Sequence, residues 1–432
     1  YEHAVVGTAR AWLELDDALA ADAVLRSLET GDAPTEAVEI AWLRHGVHER
    51  LDRGDQAAAA GERFLAASPK EDARRFDVAL AAARRHAQAG RQPKADELYT
   101  AALRESPAHV RSDVALYESA WIARDLGRSE EADRRFTRLC EDYPLSSLRS
   151  DAAYRVAETA YARGEFDAAA TRLAVAAKAP DALQPHVLLL TAQTAACRGR
   201  RDEVEKAVDA LAARFPEHPT NKIAAFWRAE AAFRAEDWET AAKRFADLAR
   251  NPQVADEPWL ETAWLRAAQA YAQKREWLDV VQTADEALGR KPRFDQAYEL
   301  ELLRGRGRAA RAEFREARES YAAVLADERA QGAEVAAVAQ FMIGETFFHQ
   351  RDYQAAVREY LRVDVAKQFP QWHAASLLQA GKCREQLGQL AEARGLYDQL
   401  IAEHPDGSHA ADARDRLEVV RRSESGPVPQ RQ

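Results

Sequence analysis

Apolar residues recur three and four positions apart along almost the whole chain, with polar residues filling the intervals. In 374–405 the stripe runs through Leu378, Cys383 and Leu387, breaks at Gly388, and resumes at Leu396 and Leu400. That spacing follows the 3.6-residue turn of a helix, and no stretch sustains the alternation of a half-buried strand. The pattern therefore predicts an all-α chain with essentially no β-structure. Gly388 marks a turn between two short helices. Pro405 closes the second, because proline has no N–H to donate and disfavours helix at the residue before it.

The same unit recurs eleven times. A small residue anchors the second helix of each: Ala21, Ala58, Ala95, Ala132, Ala169, Val204, Ala241, Val280, Ala317, Ala356 and Ala393, mostly 37 apart. Four positions on stands an aromatic or aliphatic residue, as in Tyr99, Phe136, Phe245, Tyr321, Tyr360 and Tyr397; Glu62 and Ala284 break the rule. Closing prolines are Pro34, Pro69, Pro107, Pro144, Pro180, Pro216, Pro252, Pro292, Pro370 and Pro405, and the Ala317 unit has Arg329 near that place. Gly90, Gly127, Gly164, Gly199 and Gly388 lie five before their anchors, where a left-handed turn suits glycine. Phe166, Trp238, Trp277, Phe314 and Tyr353, three before their anchors, read as wedges between the two helices of a unit.

The predicted organisation is one array over 1–422. Its units lie near 2–35, 39–70, 76–107, 113–144, 150–180, 185–216, 222–253, 261–292, 298–329, 337–370 and 374–405, followed by a capping helix at 407–422. A polar-faced last helix covers the exposed core of a final repeat. Ser408 suits its N-terminus, and Arg421 and Arg422 its C-terminal end. The tail 423–432 is expected to be disordered. No polar cap precedes Tyr1, so the natural chain is expected to extend further towards the N-terminus, or the first repeat to fray.

Composition narrows the function classes. Over 432 residues, 61 basic and 71 acidic side chains leave a net charge of −10, and mean hydropathy is −0.51. A basic surplus of the kind that marks nucleic-acid binders is missing. The apolar run 186–197 falls far short of the roughly 18–20 residues a membrane helix needs, so no transmembrane segment is expected. Cys140, Cys197 and Cys383 are scattered and form no CxxC, which favours small buried apolar residues over a disulfide or zinc site.

Local catalytic signatures are missing: no HExxH, GxSxG or phosphate-binding glycine loop occurs. His45 and His48 share a helix face but lack a carboxylate partner, and His404 and His409 read as surface residues. Gly305-Arg306-Gly307 has no preceding strand and no third glycine. Arg304, Arg308, Arg311 and Arg315 gather near one face. That face suits an acidic peptide or phosphate, but Glu299, Glu301, Glu313 and Glu316 make a salt-bridged surface the simpler reading. No catalytic, cofactor-binding or metal-ligating residue is assigned.

The offsets resemble those of the tetratricopeptide repeat: small at position eight, glycine near fifteen, aromatic at seventeen, alanine at twenty, aromatic at twenty-four and proline at thirty-two. Gly381, Gly388, Ala393, Tyr397 and Pro405 fall on five of these places. The usual period is about 34. The longer period, seen in 141–170, is similar to repeats of bacterial envelope proteins of the BamD and YbgF/CpoB type. The resemblance implies an α-solenoid, a right-handed superhelix of about eleven helix pairs whose first helices line a concave groove at positions two, five, nine and twelve. Carried onto this chain, those positions place Tyr117, Trp121, Tyr154, Tyr161, Phe226, Phe233, Phe341 and Phe348 in the groove. They could anchor a peptide or helix, or simply pack. The Lys/Asn clamp for acidic C-terminal tails is not matched.

These observations imply a non-enzymatic protein-interaction scaffold, without cofactor or nucleic-acid partner, in the bacterial periplasm or envelope; the cytoplasm is the alternative. A regulatory repeat module of a larger enzyme or signalling protein is the second reading, and a glycan or peptidoglycan binder the third.

Overall fold

The computed structural model describes residues 1–28, 36–290, 295–362 and 368–424. Among them every regular element is helical. Where the repeat spacing reads as one array, contacts gather into two compact units, Tyr1–Arg198 with Lys206–Thr220, and Gly199–Glu205 with Asn221–Gln432.

The chain opens with α1 (Glu2–Glu14), α2 (Ala18–Arg26), α3 (Ala37–Arg50), α4 (Gly54–Ala67), α5 (Arg75–Gln88) and α6 (Gln92–Glu105). There follow α7 (Ser112–Asp125), α8 (Ser129–Asp142), α9 (Arg149–Ala162), α10 (Phe166–Ala176), α11 (Gln184–Cys197) and α12 (Arg201–Arg214), the last of which contains the division between units. Then come α13 (Thr220–Arg234), α14 (Trp238–Arg250), α15 (Leu260–Gln273), α16 (Trp277–Leu288), α17 (Ala297–Ala310) and α18 (Phe314–Ala326). The last helices are α19 (Glu334–His349), α20 (Tyr353–Leu361), α21 (Pro370–Gln386), α22 (Leu390–Glu403) and α23 (Ser408–Glu424). Odd-numbered helices are the first of each pair. Most pack on their own partner, and several also touch the first helix of the next pair, as α15, α17, α19 and α21 do in succession.

The pairs close on a small residue. All eleven anchors are buried as expected. In the second pair the register falls one residue earlier, on Ala57 rather than Ala58, because Asp52 and not Arg53 makes the left-handed turn five positions before it. A second contact explains the aromatic four beyond the anchor. Tyr321, Tyr360 and Tyr397 each press a ring against a glycine of the preceding helix, Gly305, Gly344 and Gly381, where a Cβ would collide with the ring. Gly305 is therefore a seat for Tyr321, and Gly307 lets Val281 approach. The second pair inverts the arrangement. Gly61 stands where the tyrosines stand, and buried His45 fills the space from the opposite helix. His45 Nδ1 donates to the Ala57 carbonyl at 2.9 Å, so the ring is a packed core group.

All the expected turn glycines have φ between 69° and 77°. Six other residues occupy the equivalent position with φ between 51° and 61°: Asp16, Asp52, Glu236, Arg275, Ala312 and Arg351. The turn is demanded by the helix pair, and side chains other than glycine accept it at a cost. In three of these units the next residue is an aspartate, Asp17, Asp237 or Asp352, that caps the second helix through its carboxylate. Ala312 lacks such a cap, so Ala312→Gly is expected to stabilise the chain by roughly 1 kcal/mol. A urea-midpoint comparison checks this.

Six helices end two residues before a proline, at Pro69, Pro107, Pro144, Pro216, Pro252 and Pro405. Pro370 does not close its unit: α20 stops at Leu361, and Pro370 is the first residue of α21, where its missing N–H is not needed. Pro34 and Pro292 lie outside the described residues. The capping helix runs to Glu424, two residues beyond the expected end, so the tail expected from 423 begins inside it; 425–432 lie outside the described residues. Cys140 and Cys383 are buried, and burial pushes the Cys383 thiol up to about 12. Cys197 is only half-buried, contrary to expectation, because it ends α11.

Ion pairs stitch successive pairs together. The residue after the anchor is acidic in four units, and each reaches an arginine of the next pair. Asp22 meets Arg53 at 2.7 Å, Asp133 meets Arg163 at 3.0 Å, and Glu205 meets Arg228 at 2.8 Å and Arg244 at 2.7 Å. Asp96 holds Arg128 at 2.8 Å and Arg135 at 2.5 Å.

Candidate functional site

Seven of the eight aromatics assigned to the groove form recurring ring pairs, and Tyr154 lies under Arg155. Three of those at position five face the second helix of their own pair. Tyr117 meets Phe136 with centroids 5.7 Å apart, Phe226 meets Phe245 at 5.4 Å, and Phe341 meets Tyr360 at 5.4 Å. Those at position twelve reach across the turn to the residue that opens the second helix. Tyr161 meets Phe166 at 5.5 Å, Phe233 meets Trp238 at 5.1 Å, and Phe348 meets Tyr353 at 5.7 Å. The wedges expected at Phe166, Trp238 and Tyr353 thus have these rings as partners. Trp121 stacks edge-on with Phe136 at 5.9 Å and lies under Arg124 and Arg155.

Exposure separates the eight. Tyr154, Phe226 and Phe341 are buried and leave little ring for a partner. Tyr117, Trp121, Tyr161, Phe233 and Phe348 are half-buried. The structure brings Tyr117 and Trp121 together edge-to-face at 6.3 Å, and the Tyr117 hydroxyl donates to Asp151.

Of the eight, Phe233 alone lines a cavity of about 600 Å³ in the second compact unit. Its walls come from α13, the start of α14, α15, α17 and the approach to α19: Phe233, Trp238, Gln269, Tyr298, Leu302 and Val335, with Glu299 and Arg306 as the charged members. The lining is mostly apolar, with polar groups at few points, the usual composition of a binding pocket. Glu299, Leu302 and Arg306 occupy positions two, five and nine of their repeat, and Gln269 position nine of the one before. Aromatic type alone does not mark Leu302 or Arg306, which line the same cavity.

The charges differ in setting. Glu299 is half-buried, and desolvation holds its carboxyl above the ordinary range, with Arg266 pulling the other way. Arg306 is exposed and joins no ion pair among the described residues. The neighbouring arginines are spent: Arg304 and Arg308 pair with Asp285 at 2.8 and 3.3 Å, Arg311 with Glu313 at 2.7 Å, and Arg315 with Glu319 at 3.4 Å. The salt-bridged reading of that face is the one the structure shows. Arg306, on the other side of the helix, is the arginine left open to a ligand.

Trp238 is placed by its helix start. Asp237 caps α14 by accepting from the Thr240 N–H at 3.1 Å, and it pairs with Arg201 at 2.8 Å. The Thr240 hydrogen bonds, helped by Arg201, hold the Asp237 carboxyl down to about 2. A depressed carboxylate contributes stability that is complete above its unfolded value near 3.9 and lost as pH falls towards the folded one. Asp237→Asn keeps a capping side chain but removes this titration. Melting temperature should therefore fall less steeply for the variant than for the parent between about pH 4 and pH 2.

Comparison with known proteins gives the repeat its name. Two family models, each described as "Tetratricopeptide repeat", match residues 114–146 and 375–407, and residues 189–258 and 302–371. No curated protein sequence matches the chain. Among solved structures, a tetratricopeptide repeat protein from Parabacteroides merdae is 14% identical, covering 61% of this chain and 98% of its own, with a TM-score of 0.39. The Cut9–Hcn1 hetero-tetramer of APC/C is 14% identical, covering 98% of this chain and 83% of that one, with a TM-score of 0.33. Naa15/Naa10 bound to HypK-THB is 13% identical, covering 99% and 69%, with a TM-score of 0.43. With its paired helices, left-handed turns and matched segments, the chain is an all-helical array that carries tetratricopeptide repeats.

Proposed function

We propose that the protein is a non-enzymatic interaction scaffold that holds a segment of a protein partner against the first-helix face of α13, α15, α17 and α19. The observation that carries this is the cavity bounded by Phe233, Leu302 and Val335, with unpaired Arg306 at its edge. Tetratricopeptide repeats are generally protein-interaction modules, which supports the same reading. An apolar side chain fits the floor, and an acidic group beside it meets Arg306. As part of the proposal, the protein works in the bacterial periplasm or envelope, a placement motivated by the long-period repeat style of 141–170.

Selection of random peptides on the immobilised full chain tests the groove. Enriched sequences should pair an acidic residue with a large apolar one. Arg306→Glu should weaken them roughly tenfold, about 1.4 kcal/mol, without loss of helicity, since Arg306 is exposed. Peptides that bind parent and variant equally would remove the groove from the account.

A further inference from the structure

The second compact unit brings together side chains that the protein-binding reading does not use. His373 stands in the first turn of α21, while Glu403 ends α22 and His404 follows it. Their ligand atoms all lie within 4.8 Å of one another, the one such triad of His, Cys and carboxylate groups among the described residues. His373 Nδ1 is 3.0 Å from His404 Nε2 and 3.6 Å from a Glu403 carboxylate oxygen. The two rings cross nearly at right angles, at 80° with centroids 5.2 Å apart. The His373 side chain is only 12% exposed, so its position is set by packing rather than by solvent.

We infer that this triad is a binding site for a divalent transition ion of the zinc class. Two imidazole nitrogens and a carboxylate oxygen form a donor set suited to such an ion, and a poor one for calcium or magnesium, which take oxygen ligands. Without an ion, one ring must donate its proton to the other. On binding, that ring moves its proton to its other nitrogen, and both lone pairs face the metal. Bonds of about 2.0–2.1 Å in tetrahedral geometry place the two nitrogens about 3.4 Å apart, so the rings need separate by only a few tenths of an ångström.

The triad also borders open space. His404 lines a hollow of about 410 Å³ whose other walls include Asp406 and His409, at the start of α23. A fourth ligand, from either residue or from water, has room there. The ion would tie the N-terminal end of α21 to the C-terminal end of α22, next to the point where the capping helix begins. It would act as a clasp on the last repeat, away from the cavity that takes the partner.

The test uses the full chain without a polyhistidine tag, stripped with chelator and titrated with Co²⁺ or Zn²⁺. Co²⁺ should bind one equivalent and show the visible absorption of a tetrahedral nitrogen–oxygen site. His404→Gln should abolish that band while circular dichroism stays helical. Exposed Glu403→Gln, the variant least able to disturb folding, should weaken binding roughly tenfold or more. Absence of stoichiometric binding by the parent would overturn the inference, as would binding that survives unchanged in both variants.

Discussion

Tyr360→Ala is expected to destabilise the chain by roughly 3–5 kcal/mol. The ring is fully buried between Gly344, on which it lies, and Phe341, 5.4 Å away, and its hydroxyl donates to Glu345. Removing it opens a cavity that rigid helices cannot collapse. The complementary change attacks the same contact from the other side. A Cβ on Gly344 would stand 2.5 Å from the tyrosine ring, so Gly344→Ala should cost about 1–3 kcal/mol alone. In the Tyr360→Ala background the new methyl has room, and that cost should vanish. A double-mutant cycle by urea denaturation should therefore give a coupling energy of roughly 1–3 kcal/mol. Additive costs would show that the glycine is not there to seat the ring.

The second large effect is expected at Asp96. Its carboxylate holds Arg128 and Arg135, and both partners of the Asp96–Arg135 pair are largely shielded, with side chains 10% and 11% exposed. Asp96→Ala leaves the Arg135 guanidinium in place without its closest counter-charge. Loss of one partner from a buried pair costs about 3–5 kcal/mol. Arg135 keeps Glu131 at 2.9 Å and the Ser119 carbonyl at 2.9 Å, so the lower end, about 3 kcal/mol, is expected. Glu130→Ala is the contrast. That carboxylate is exposed and as far as 3.9 Å from Arg134, which pairs instead with Glu131 at 2.5 Å, and its removal should shift the urea midpoint hardly at all.

How much of this was legible in the chain follows from which rules are local. A small residue every 37 positions can only mean a repeated close approach, and its phase was readable at ten of eleven anchors. Turn glycines were readable for the same reason. Their non-glycine equivalents were not, because Ala312 or Arg351 in a left-handed turn looks like any helical residue until the pair forces it there. The exchange of His45 and Gly61 hid the second unit's register, since volume is conserved across the two helices together and not at either position alone. Pro370 misled because proline is as much at home opening a helix as following one.

The candidate site was harder to read for a related reason. Aromatics at positions five and twelve satisfy two demands, packing within a pair and exposure on the first-helix face, and composition does not tell them apart. The structure gives most of their rings to packing. It leaves Leu302, Glu299 and Arg306, ordinary residues by type, on the cavity wall. The acidic residues after the anchors carry no local signal, because their partners lie 23 to 39 positions on, in the next pair.

The central claim is that a partner segment sits on the first-helix face at α13, α15, α17 and α19. A photo-crosslinking amino acid placed at Gln273, an exposed position on the cavity wall, tests it most directly. The comparison is the same group at Arg315, exposed on the second helix of the next pair. Irradiation with a peptide selected on the full chain should give adducts from position 273 and not from position 315. Equal labelling at both positions, or labelling at 315 alone, would contradict the account.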